Sequence, residues 1–83
     1  MTFTVTNSNT RLYVNLSGGN RVATLSVSGP ARVELKAGNG SHVMQHVLNA
    51  PGGGVSLQVP AQHWVEIDTS APVQVQLDVH DGA

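Results

Sequence analysis

Four histidines, at 42, 46, 63 and 80, are the residues of this 83-residue chain that first invite chemistry. His42-x-x-x-His46 has the spacing at which two imidazoles on a helix share one zinc ion. On an extended strand the same two residues stand about 13 Å apart, so a shared ion needs His63 or His80 to arrive from another strand. The expectation is therefore surface or interface imidazoles, with no metal and no cofactor. If several face a partner, their protonation near pH 6 weakens or reshapes that contact.

Glu66 and Asp68 are the second candidate. On a strand they share one face with Cα atoms about 7 Å apart, a spacing compatible with a glycosidase dyad or a calcium site. A solvated polar face opposite Val65 and Ile67 accounts for them with fewer assumptions. Serine, histidine and aspartate are all present, but no Gly-x-Ser-x-Gly elbow and no phosphate loop organises them. The glycines at 52–54 precede a strand-like run, not a helix N-terminus that could hold phosphate. A chain this short has little room for a pocket, and a non-enzymatic role is expected. The remaining constellation is Gln62, His63, Trp64 and Glu66, where an exposed indole flanked by amide and carboxylate would stack on a sugar. Against it, the sole tryptophan of a chain short of aromatics is expected at the centre of the core.

Charge and composition exclude other classes. Four Lys+Arg against five Asp+Glu give a net charge of −1 and no basic stripe to displace counterions from a phosphate backbone, so nucleic acid is not an expected partner. No apolar run approaches the roughly 18 to 20 residues of a membrane-spanning helix, so no membrane partner is expected. Without cysteine there is no disulfide framework and no thiolate site. Met1-Thr2-Phe3-Thr4-Val5 shows neither basic n-region nor h-region, and the expected location is cytoplasmic, without a signal peptide. Asn15-Leu16-Ser17 and Asn39-Gly40-Ser41 match the glycosylation pattern, at a frequency chance supplies.

The elements that must position these groups are strands. Thirteen valines and six threonines suit a pleated surface. Apolar residues alternate at Phe3/Val5, Leu12/Val14/Leu16, Val33/Leu35, Val55/Leu57/Val59 and Val73/Val75/Leu77/Val79, the period of a strand with one buried face. Seven turn clusters rich in Gly, Asn, Pro and Ser separate eight strands, predicted at 2–6, 10–16, 21–27, 31–36, 42–48, 55–59, 62–68 and 72–80. That spacing defines a single all-β domain over 1–83, an antiparallel β-sandwich or jelly-roll-like barrel. Gly38-Asn39-Gly40 supplies the positive φ of a tight hairpin and makes strands four and five partners. The glycine run at 52–54 reads as a surface loop, or as a place where another backbone comes close.

A core of valine and leucine with only Phe3, Tyr13 and Trp64 as aromatics is thin, and no disulfide or metal compensates. Association is the remaining route to stability, so a homo-oligomer or a module held on a larger assembly is expected. Tyr13, Met44 and Val65, flanked by further apolar residues, are the candidate interface side chains; a strand buried on both faces is the alternative. The terminal strands, Thr2 to Thr6 with Val5 and Pro72 to His80 with Val75, are the candidate edges for pairing with another chain.

Runs such as Val33-Glu34-Leu35-Lys36 and Val73-Gln74-Val75-Gln76-Leu77, in a weakly charged, cysteine-free chain of eight short strands, resemble the small all-β proteins that decorate or cement phage capsids. The resemblance lies in overall strand pattern and carries no residue role to a position here. It implies a non-enzymatic module, often trimeric, that clamps neighbouring subunits of a shell, and a virion location if the chain comes from a phage.

Overall fold

Residues 2–6, 10–48 and 53–81 are described by a computed structural model, and all regular structure among them is β. The strands are β1 (Thr2–Val5), β2 (Thr10–Val14), β3 (Arg21–Val27), β4 (Ala31–Lys36), β5 (His42–Leu48), β6 (Gly54–Val59), β7 (Trp64–Asp68) and β8 (Val73–Asp81). Two four-stranded sheets contain them, in the orders β1-β8-β3-β6 and β2-β7-β4-β5. Every pairing is antiparallel. The chain pairs as one long hairpin, β4 with β5, β3 with β6, β2 with β7 and β1 with β8, which is then rolled so that β3 meets β8 and β4 meets β7. This is the jelly-roll arrangement of two Greek keys.

The hairpin tip is where the glycines predict it. Gly40 takes φ +87° and donates its N–H to the Ala37 carbonyl, while Ala37 N–H bonds the Ser41 carbonyl. Gly38 serves another purpose: a Cβ there would stand 2.7 Å from the Gln62 carbonyl oxygen of the turn before β7. Gly54 meets the Leu25 carbonyl in the same way, at 3.0 Å, so the close backbone approach is real at that end of the glycine run. Gly52 lies outside the described residues.

Alternation closes the core between the sheets. Ala23, Leu25, Val27, Leu57, Val59, Val73, Val75 and Leu77 from one sheet face Ala31, Val33, Leu35, Val65 and Ile67 from the other, with Val5 at one margin. Each fully buried Val, Leu or Ile contributes roughly 1.5–3 kcal/mol, and Leu12, Tyr13, Leu48 and Val55 pack around the rim.

Several expectations are corrected here. β8 is flanked by β1 and β3, so the last strand is central; of the terminal strands only β1 is an edge. Val75, Val65 and Val5 are buried in the core and have no side chain to offer a partner. Tyr13 faces inward opposite Val65 and is half-buried against the core. The period-two reading of β2 also fails, because the ladder shifts register between Arg11 and Tyr13. That bulge reverses the faces, so Tyr13 and Asn15 point inward and Leu16 is 79% exposed.

Candidate functional site

Two regions carry features beyond folding, and both lie on the β2-β7-β4-β5 sheet. The first is its outer face. Since Val65 and Ile67 point inward, Trp64, Glu66 and Asp68 of β7 point outward, and the register sets them beside Lys36, Glu34 and Arg32 of β4. Trp64 is therefore a half-buried surface residue, not the centre of the core. Its Nε1–H donates to Glu66 Oε1 at 2.8 Å, and the Arg11 guanidinium lies 4.4 Å from the ring centroid, a cation–π distance.

Charge spreads from this indole as a lattice. Lys36 Nζ is 3.3 Å from Glu66 and 4.0 Å from Glu34; Arg32 pairs with Glu34 at 3.2 Å and with Asp68; His42 Nδ1 is 3.7 Å from Glu34. Three of the four Lys and Arg residues belong to this face. Individually such pairs contribute about 0–1 kcal/mol; together they hold the face in one geometry. Arg11, Arg32, Glu34 and Lys36 were not among the candidate residues, although 32, 34 and 36 alternate with buried Val33 and Leu35 and so share a face.

The sugar constellation is brought together only in part. Trp64 and Glu66 are bonded neighbours, with Arg11 already over the ring. Gln62 sits in the preceding turn with φ +66°, and His63 is half-buried with Nδ1 2.9 Å from the Ala61 carbonyl. Both members of the carboxylate pair, Glu66 and Asp68, are engaged by Lys36 and Arg32. The histidines are dispersed: His42 is on the outer face of β5, His46 opposes inward-facing Val33, and His80 is exposed near the end of β8. Among the described residues no three His, Asp or Glu side chains converge on a point that could hold a metal ion.

The second region is the β5 edge. Among the described residues β5 pairs with β4 alone, and it exposes Val43 by 46%, Met44 by 41% and Val47 by 58%. Val47 and Gln45 lie on the outer face, opposite Arg32 and Glu34; Met44 and His46 lie on the inner one, opposite Leu35 and Val33. Beside Val47 an open groove of about 300 Å³ runs over Pro30, Ala31, Arg32, Asp68 and Thr69. Of the sequence candidates for an interface, Met44 is the one this region retains.

The fold thus defines a jelly-roll domain with one charged face and one apolar edge. No protein-family model and no curated protein matches the chain. Among solved structures it is similar to a de novo designed double-stranded β-helix, with TM-score 0.65 and 22% identity over 96% of each chain. It is also similar to a structure from Bacillus endospore appendages, described as a novel family of disulfide-linked pili. There the TM-score is 0.64 and the identity 19%, covering all of this chain and 83% of that one. At these identities the likeness establishes the fold.

Proposed function

We propose that this chain is a non-enzymatic structural module that associates with copies of itself. The observation that carries the reading is β5, a seven-residue edge strand with apolar side chains exposed on both faces, no Lys, Arg, Asp, Glu or Pro within it, and a ladder that is regular from Met44 to Leu48, the one irregularity lying at its His42 end. Soluble β proteins protect such edges with charge, proline, bulges or shortness, because an open edge offers a row of backbone donors and acceptors to another strand. The core of mostly valine and leucine adds to the case, since a small domain gains stability from the burial a partner supplies. The appendage structure of similar fold is described as disulfide-linked; these 83 residues have no cysteine, so no disulfide of theirs makes the proposed contact.

Capsid decoration, which the strand pattern resembles, has no matching family model behind it, and the proposal does not depend on it. Mass in solution across a dilution series, with a thermal melt at each concentration, tests the reading. A defined oligomer whose melting temperature rises with concentration is expected; a monomer whose melting temperature ignores concentration overturns it.

A second reading draws on Trp64 being outward: a glycan-binding face with the indole as platform. Arg11 occupies one face of the ring, so a sugar would replace that guanidinium or use the opposite side. Tryptophan emission that responds to glycans, and responds more strongly in Arg11→Ala, supports this reading; emission indifferent to a glycan panel in both proteins removes it.

A further inference from the structure

The sequence of β5 is self-complementary in one register, and this specifies the contact that the self-association reading, on which the inference rests, leaves open. We infer that two copies pair β5 against β5, antiparallel about a two-fold axis at Gln45, joining their β2-β7-β4-β5 sheets into one continuous eight-stranded sheet.

β1 is four residues long, β2 is interrupted by its bulge and carries Arg11, and β6 opens on Gly54 and shows Ser56 and Gln58 outward. β1 and β2 thus carry usual protections against pairing, and β6, though unprotected, offers a partner only polar side chains on its outer face; β5 is seven residues long, exposes Val43, Met44 and Val47, and has only the irregularity at its His42 end.

For both sandwich cores to lie on the same side of the joined sheet, a residue must face its own copy across the axis. Centred on Gln45, Val43 of one copy faces Val47 of the other at both ends, Met44 faces His46, and the two Gln45 amides meet. The exposed side chains of Val43 and Val47 are thereby matched to each other, Val43 being the residue that the irregularity of β5 leaves without a Cα partner on β4. Centring on Met44 sets Val43 against Gln45, and centring on His46 sets Val47 against Gln45 and the two imidazoles against each other. The charged row of β4 does not oppose the contact, because Arg32, Glu34 and Lys36 of the two copies are three strand spacings apart, about 14 Å and beyond a Debye length at physiological salt. An isologous edge closes on itself, so this contact makes a dimer and not the trimer that the capsid-decoration resemblance implied.

Complementary charges test the register. Val43→Lys and Val47→Glu are both at exposed positions, and the carboxylate introduced by Val47→Glu would face Arg32 within its own chain, so both variants are expected to fold with unchanged circular dichroism. Each alone is expected to raise the dimer dissociation constant on the order of 10-fold, because each defect occurs twice per dimer. An equimolar mixture of the two variants is expected to recover the dimer, with the introduced ammonium of one copy facing the introduced carboxylate of the other. Gln45→Cys provides a second reading, since opposed Cα atoms at about 4.5–5.5 Å are within disulfide reach and the chain has no other thiol. It should cross-link on oxidation, whereas Val47→Cys should not. A wild-type oligomer indifferent to Val43→Lys and Val47→Glu, or one broken by them without recovery on mixing and without cross-linking at 45, overturns the β5 contact while self-association stands. A wild-type monomer at every concentration overturns both.

Discussion

Asn15 and Val47 invert the usual rule of polar outside and apolar inside, in opposite directions and with opposite consequences. Asn15 is fully buried, and every hydrogen-bonding group it has is used within the chain. Its Nδ2 donates to the Val59 carbonyl at 2.7 Å and to the Gly19 carbonyl at 2.8 Å, while Oδ1 accepts from Ser17 N–H and Ser17 Oγ. Its backbone N–H bonds the His63 carbonyl and its carbonyl accepts from Gln62 N–H. Val47 is 58% exposed on β5, an edge strand that among the described residues pairs with β4 alone. A saturated polar corner closes the fold upon itself, whereas an apolar edge with a strand on one side only is the surface the proposed contact would cover.

The largest way to break this contrast lies in neither region but in β8, a central strand of the facing sheet. Val75 pairs with Phe3 on one side and Val27 on the other, so Val75→Pro removes a ladder donor from a central strand. The expected cost is about 3 kcal/mol or more, a large part of what a domain of this size has, and circular dichroism should show loss of the β signal. Loss of assembly with the fold intact, the result an edge strand would give, would contradict the observed strand order.

Asn15→Leu comes next. It fills the site but strands the Val59 carbonyl and the Ser17 donors, and a loss of about 2–4 kcal/mol in chemical denaturation is expected. Asn15→Asp sharpens the point through pH. A carboxyl held against two carbonyl oxygens is easier to keep protonated in the folded chain than in the unfolded one, so the folded state binds more protons and stability falls as pH rises. The variant should melt closer to wild type below pH 4 and progressively lower above it, past the unfolded aspartate value near 3.9. A gap independent of pH would show that the side chain has swung out to water.

Gly38→Ala probes the same corner with a smaller effect. The added methyl would meet the backbone oxygen of Gln62 at 2.7 Å, and Gln62 donates to Asn15, so the hairpin tip and the corner must separate slightly. A cost of about 1–3 kcal/mol is expected in the same denaturation assay.

How far the sequence reveals all this follows from the range of each cause. Alternation is local, and the eight strands, the absence of helix in the described residues, and the β4–β5 hairpin at Gly38-Asn39-Gly40 follow from it. Strand order is not local: β8 alternates as cleanly as an edge strand with one buried face would, and only its pairing with both β1 and β3 makes it central. The bulge between Arg11 and Tyr13 has no strong signal in its residues, and it reverses Leu16 and Asn15, which hid the buried amide behind an incidental glycosylation match. Trp64 was legible after all. Its parity with Glu66 and Asp68 places it on the polar face, a local fact that outweighs the general preference of a lone tryptophan for the core.

The smallest expected effect is the one that separates the two regions most cleanly. Val47→Glu changes an exposed side chain opposite Arg32, so in dilute monomer its effect on unfolding free energy should be within about 0.5 kcal/mol. At concentrations where wild type associates, the same substitution should remove the rise of melting temperature with concentration. The corner substitutions should do the reverse, lowering the melting temperature at every concentration by a similar amount. If Val47→Glu instead destabilised the dilute monomer as Asn15→Leu does, Val47 would be part of the chain's own packing, and the distinction between a closed corner and an open edge would be lost.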